Sequence, residues 1–118
     1  MFSFSLNTKI FMAIEPVDMR RGFDSLAAWV DQNLGRKVLE GDVFLFLSKR
    51  RDRLKILWWE GDGYSLYYRR LEAGTFELPK HNDTAKELAI DATTLALLLR
   101  GIETGSIRLR KRYSRAAS

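Results

Sequence analysis

The 118-residue chain has no cysteine, one histidine and only two prolines. Without cysteine there is neither a disulfide framework nor thiolate chemistry, and the expected compartment is a reducing cytoplasm. Nucleophilic triads need a histidine beside the nucleophile, but the sole histidine, His81, lies in the polar stretch KHNDT, where it reads as a solvated loop residue. A zinc site would require a set of Cys and His ligands, which is missing. No stretch approaches the roughly 18 uninterrupted apolar residues of a membrane helix, so no membrane partner is expected. The opening MFSFSLNTKIFMAIE shows neither the basic leader nor the small-residue cleavage site of a secretory signal. EGDG at 60–63 lacks the lysine and following helix of a phosphate-binding loop, and reads as a turn. Internal repeats, heptads and low-complexity segments are also missing. These absences predict no catalytic residue, no metal and no cofactor, hence a protein that is not an enzyme.

What remains is globular: 46% hydrophobic and 12% aromatic residues. Length and composition predict one domain over residues 1–105, followed by a basic tail over 106–118 that forms either a strand or an arm. The net charge of +5 is unevenly placed. Arg108, Arg110, Lys111, Arg112 and Arg115 stand in the tail with no acid, leaving the rest of the chain formally neutral. A second local excess lies at 49–70, where Lys49, Arg50, Arg51, Arg53, Lys55, Arg69 and Arg70 face only Asp52, Glu60 and Asp62. Clustered cations of this kind point to a polyanionic partner and carry no information about fold.

KIFMAIE at 9–15 reads as a first strand stopped by Pro16. Met19, Phe23, Leu26, Val30 and Leu34 then recur at helical steps, predicting a helix over about 18–34 with Asp18 as N-cap and Gly35 as stop. DVFLFLS, RLKILWW and YSLYYRRL read as three strands joined by KRRD and EGDG, with the second turn on Asp62-Gly63 or Gly61-Asp62. With the first turn on Arg50-Arg51, one face holds Phe44, Phe46, Arg53, Lys55, Leu57, Trp59, Leu66, Tyr68 and Arg70. The other holds Val43, Leu45, Leu47, Leu54, Ile56, Trp58, Tyr67 and Arg69. Both faces are largely apolar, so both need a cover, either an element of this chain or a second subunit. TFELP reads as a fourth strand, and Asp91 caps a short final helix ended by Gly101 or Gly105. The expected fold is α+β: a mostly antiparallel sheet of four to six strands, one long helix on a face and a short C-terminal helix.

Asp24 and Asp31, two turns apart on the first helix, are the carboxylates to weigh as magnesium ligands, but Arg20 one turn before Asp24 suggests a surface ion pair instead. The basic and aromatic stretch is the stronger feature. Candidate DNA contacts are Arg20, Arg21, Arg50, Arg51, Arg53, Lys55, Arg70, Arg108, Arg110, Lys111 and Arg112; candidate partner contacts are Trp59 and Tyr68.

PVDMRRGFDSL at 16–26, GDVFLFLSKRRDRLKILWWEGDGY at 41–64, YRRLEAGTFELP at 68–79 and DATTLALLLRGIE at 91–103 resemble TnpB, the accessory protein encoded by the second open reading frame of IS66-type bacterial insertion sequences. The likeness covers about residues 8–103 in order and spacing, with Glu60 where the family usually has aspartate. It implies a small protein that assists transposition beside a separate, larger transposase. No catalytic residue is assigned in that family. Arg20, Arg21, Asp24, Arg50, Arg51, Asp52, Arg53 and Lys55 match its motifs and mark where to look. Contact with DNA, docking on the transposase or on itself, and a metal-dependent nuclease activity are the readings carried forward, in that order.

Overall fold

The computed structural model describes residues 4 and 7–101. Its centre is a five-stranded sheet of β1 (Ile10–Ala13), β2 (Val43–Leu47), β3 (Arg53–Trp59), β4 (Tyr64–Arg70) and β5 (Glu87–Ile90), in the order β4-β3-β2-β1-β5. β1 and β2 run parallel, joined through helix α1 (Phe23–Leu34), the kind of crossover that a parallel pair requires. The other three pairings are antiparallel, and helix α2 (Ala92–Arg100) follows β5. The chain is α+β, with the strand number and mostly antiparallel sheet that the sequence predicts.

Leu47 pairs with Leu54, which centres the first hairpin turn on Arg50-Arg51 as expected. Trp59 pairs with Tyr64, so the second turn falls on Gly61-Asp62 rather than Asp62-Gly63. Gly61 has φ 92° while Asp62 keeps an ordinary negative φ, the pattern of a type II′ turn. Alternation then sends Phe11, Phe44, Phe46 and Leu57 to one side, against Leu26, Trp29 and Val30 of α1. Ile10, Met12, Val43, Leu45, Leu54 and Ile56 go to the other, against Leu95, Leu98 and Leu99 of α2 and against Phe76. Both covers are therefore built from this chain, and the second apolar face does not need another subunit.

Three expectations are corrected. The helix starts at Phe23 instead of near residue 18 and is 12 residues long, so it is short. Asp18 cannot serve as its cap because its carboxylate is taken by the backbone N–H and guanidinium of Arg20; Gly22 occupies the cap position. TFELP is not a strand. Phe76 plugs the α2-side core, fully buried, while its N–H donates to the Arg51 carbonyl at 2.7 Å. Burying that ring outweighs local strand preference. The fifth strand is instead ELAI, whose Leu88 and Ile90 alternate inward beside β1. Asp91 does cap α2, accepting from the Thr94 N–H at 2.7 Å, and Gly101 ends it at φ 83°.

Candidate functional site

The turn between β2 and β3 is fixed by its own polar groups. Ser48 Oγ accepts the Arg53 N–H and donates to Asp52, both at 3.1 Å, while the Arg51 N–H donates to the Ser48 carbonyl at 2.9 Å. Arg51 sits in the left-handed region at φ 60°, which a non-glycine residue adopts only at a cost. Two bonds from the segment after β4 hold it there: Phe76 N–H to the Arg51 carbonyl and Leu71 N–H to the Asp52 carbonyl, each 2.7 Å. With the backbone so occupied, the side chains of Lys49, Arg50 and Arg51 stand exposed, and none forms an ion pair with an acid among the described residues.

A groove of about 790 Å³ separates this turn from residues 16–20. Arg20, Lys49, Arg50 and Arg53 line it, with Asp18, Asp52 and Tyr68. Its second wall is anchored by Val17, a buried residue whose N–H donates to the Leu47 carbonyl at 3.0 Å. Asp18 closes the tight bend that follows, bonding the N–H two residues on and gripping the Arg20 guanidinium at 2.7 Å. Those hydrogen bonds from Arg20 hold the Asp18 carboxyl down at about 2, against an ordinary 3.8.

Lys55 supports the site from below. It is 6% exposed, and its ammonium donates to the Arg21 carbonyl at 2.7 Å and lies 4.7 Å from the centre of the Tyr68 ring. A cation so enclosed ties the 16–21 segment to the sheet. Two residues before Lys55 on β3, Arg53 stands directly opposite Arg70 of β4, a like-charge pair that lacks an attraction of its own. Arg70 is drawn to Glu72 at 2.7 Å, and Arg53 is left with the Tyr68 hydroxyl at 3.5 Å.

The other end of β3 is different in kind. Trp59 is half-buried in the α1-side core and meets Tyr64 edge to face at 5.1 Å. Trp58 donates its indole N–H to Glu60, which also accepts from Ser65. Tyr68, 48% exposed, pairs with Lys55, four positions along the strand from Trp59. The two candidate partner contacts thus share a face but not a patch.

Of the candidate DNA contacts, the structure gathers Arg20, Arg50 and Arg53 in one groove; Arg51, next to Arg50 in the turn, and Arg70, opposite Arg53, are not among its lining residues. Arg21 turns its guanidinium to Ser25 at 2.7 Å, and Lys55 is buried. Arg108, Arg110, Lys111 and Arg112 lie outside the described residues. Arg20 pairs with Asp18 rather than with Asp24, and Asp31 pairs with Lys37. Among the described residues no three His, Asp or Glu side chains gather as metal ligands, and no helix is long and apolar enough to cross a membrane. Two site-forming residues were not anticipated in these roles: Ser48, which orders the turn, and Asp18, which orders the opposite wall. The second was legible, since an aspartate two residues before an arginine can close a local turn as readily as cap a helix.

Two proteins of Sinorhizobium fredii, the uncharacterized proteins y4jC and y4hO, are similar to this chain. The first is 37% identical over 99 residues, covering 84% of this chain and 83% of its own length. The second is 36% identical over 97 residues, covering 82% and 83%. No solved structure matches. The family model described as IS66 Orf2 like protein matches residues 8–109, which takes in Arg108 and stops before Arg110. That match spans both walls of the groove and every described strand and helix, and it points to an accessory role in transposition: the chain belongs to the IS66 Orf2-like, or TnpB, family.

Proposed function

We propose that the protein is a non-enzymatic accessory factor of insertion-sequence transposition that contacts DNA phosphates with the 48–53 turn and the groove beside it. The observation that carries this reading is the segregation of charge along β3. Lys49, Arg50, Arg51 and Arg53 cluster at one end without ion-pair partners among the described residues, while Glu60 and Asp62 mark the other end. Four such cations neutralising four phosphates give a salt slope of about −3.6 on duplex DNA, and so a loss of roughly a hundredfold in affinity between 50 and 200 mM salt. Contacts of this type bind the backbone and leave sequence choice to other groups or to the transposase.

The test is fluorescence anisotropy with duplex and single-stranded DNA across a salt series, on wild type and on the double variant Arg50→Ala/Arg51→Ala. The slope should fall by about two for the variant. Absence of binding even at low salt removes the DNA role. A second reading, docking onto the transposase or onto another copy, is favoured by one observation: among the described residues no strand pairs with the long outer edge of β4. Co-purification with the transposase that is lost in Trp59→Ala but kept in the arginine variant would support it, provided the tryptophan variant melts cooperatively.

A further inference from the structure

The sheet ends in two unlike edges. β5 spans four residues, whereas β4 spans seven, contains no proline and carries its charges, Arg69 and Arg70, only at one end, so most of its length lacks the devices that keep an edge from pairing. The ladder identifies which of its groups are open. Glu60 bonds Gly63 and Leu71 bonds Asp52, so with the observed register the odd-numbered residues of β4 exchange bonds with β3. The N–H and C=O groups of Tyr64, Leu66, Tyr68 and Arg70 therefore face outward, with no strand beyond them among the described residues.

We infer that this edge joins two copies of the chain, β4 antiparallel to β4 about a two-fold axis at Tyr67, so that two five-stranded sheets become one. In an antiparallel ladder outward residues must meet outward residues. The register that places Leu66 opposite Tyr68 and Tyr64 opposite Arg70 is the one that uses all four on each copy. It also sorts the charge. Arg69 and Arg70 stand at one end of β4; antiparallel pairing sets Arg70 beside the other copy's Tyr64 ring and Arg69 beside its Ser65, whereas parallel pairing would set guanidinium against guanidinium. A basic strand from another partner would meet the same repulsion. Both sheet faces are already covered by α1 and α2, which leaves the two edges as the unpaired backbone of the sheet among the described residues, β4 being the longer. Because the axis is perpendicular to the sheet, both grooves face the same way, offset by about 20 Å along the strands, six residues at roughly 3.3 Å each. The inference stands independently of DNA binding.

Sedimentation of the full-length chain should give a particle of twice the 13.7 kDa of one copy. Tyr68→Pro removes an outward N–H that β3 does not use, so the fold should survive, as a cooperative melt would show. By symmetry it deletes two intermolecular bonds, and the dimer dissociation constant should rise about a hundredfold, roughly tenfold per bond. The natural absence of cysteine allows a separate test of register that does not depend on that variant. Under mild oxidation Tyr67→Cys should form a disulfide-linked dimer, because residues opposed at a non-hydrogen-bonded site have Cα atoms about 4.5 Å apart. Ser65→Cys should not, since its counterpart lies about 13 Å along the strand. A monomer at every concentration, a dimer indifferent to Tyr68→Pro in a folded variant, or equal cross-linking at both positions would each overturn the inference.

Discussion

The two turns that bracket β3 share an architecture and differ in almost everything else. Both are tight connections between paired antiparallel strands. The Gly61-Asp62 turn uses glycine at its positive φ and carries only acids, with half-buried aromatic rings beside it. The Arg50-Arg51 turn puts an arginine at positive φ and carries only cations at its tip. A turn that needs only to reverse the chain takes glycine; one that holds an arginine in the left-handed region must be secured from outside, here by Phe76 and Leu71. The difference shows that the basic turn is a fixed platform tied into the core on one side and facing a groove on the other.

The largest test of that contrast is to remove the ring that anchors the tie, since alanine keeps the N–H bonded to Arg51. Phe76→Ala should cost about 3–5 kcal/mol in urea unfolding, because a fully buried ring is lost on the side that braces the basic turn. An effect below about 1 kcal/mol, the level of an ordinary surface change, would mean that the brace is incidental. Next in size, Lys55→Ala should lower stability by about 1–3 kcal/mol by leaving the Arg21 carbonyl without its donor, while the salt slope of DNA binding stays unchanged. A slope reduced by one would restore Lys55 to the contact surface. Smaller still is Arg51→Gly. Relief of about 1 kcal/mol of left-handed strain offsets the added freedom of the unfolded chain, so stability should remain within about 0.5 kcal/mol while one phosphate contact disappears. Asp62→Ala, at the opposite turn, should leave the slope where it was.

The smallest effect concerns the far wall of the groove. Since Arg20 depresses the Asp18 carboxyl from 3.8 to about 2, its contribution is fully present above pH 3.8 and is lost as pH falls through 2. The Tm difference between wild type and Asp18→Asn should therefore be constant above that range and close on acidification. A difference that changes between pH 5 and 8 would show that another group governs the bend.

Much of the fold was legible in the residues. Period-two alternation from Val43 to Arg70 assigned each side chain to its face, and it did so under either second turn, because the two registers differ by two residues. Helix α2 announced both its ends, through Asp91 and Gly101. TFELP was misread because its composition is that of a strand while its phenylalanine is used as a plug. ELAI, the strand observed at 87–90, carries too little alternation in four residues to stand out beside a helix cap. At the site, charge identified the basic turn, but Arg20 and Arg50 stand thirty residues apart, and only folding makes them neighbours.

The sequence by itself determined the facing of the central strands, the excess of charge at 49–70 and, through its motifs, the IS66 Orf2-like family. Those properties are local, depending on period and composition along a single stretch. The tertiary structure decided that Lys55 is internal, that Asp18 grips Arg20 rather than a helix end, and that residues 16–20 wall a groove with the basic turn. It also decided that, among the described residues, the seven-residue β4 lies at an edge of the sheet. Each of these turns on which donor reaches which acceptor across distant parts of the chain. That outcome is fixed only when packing brings the alternatives into competition.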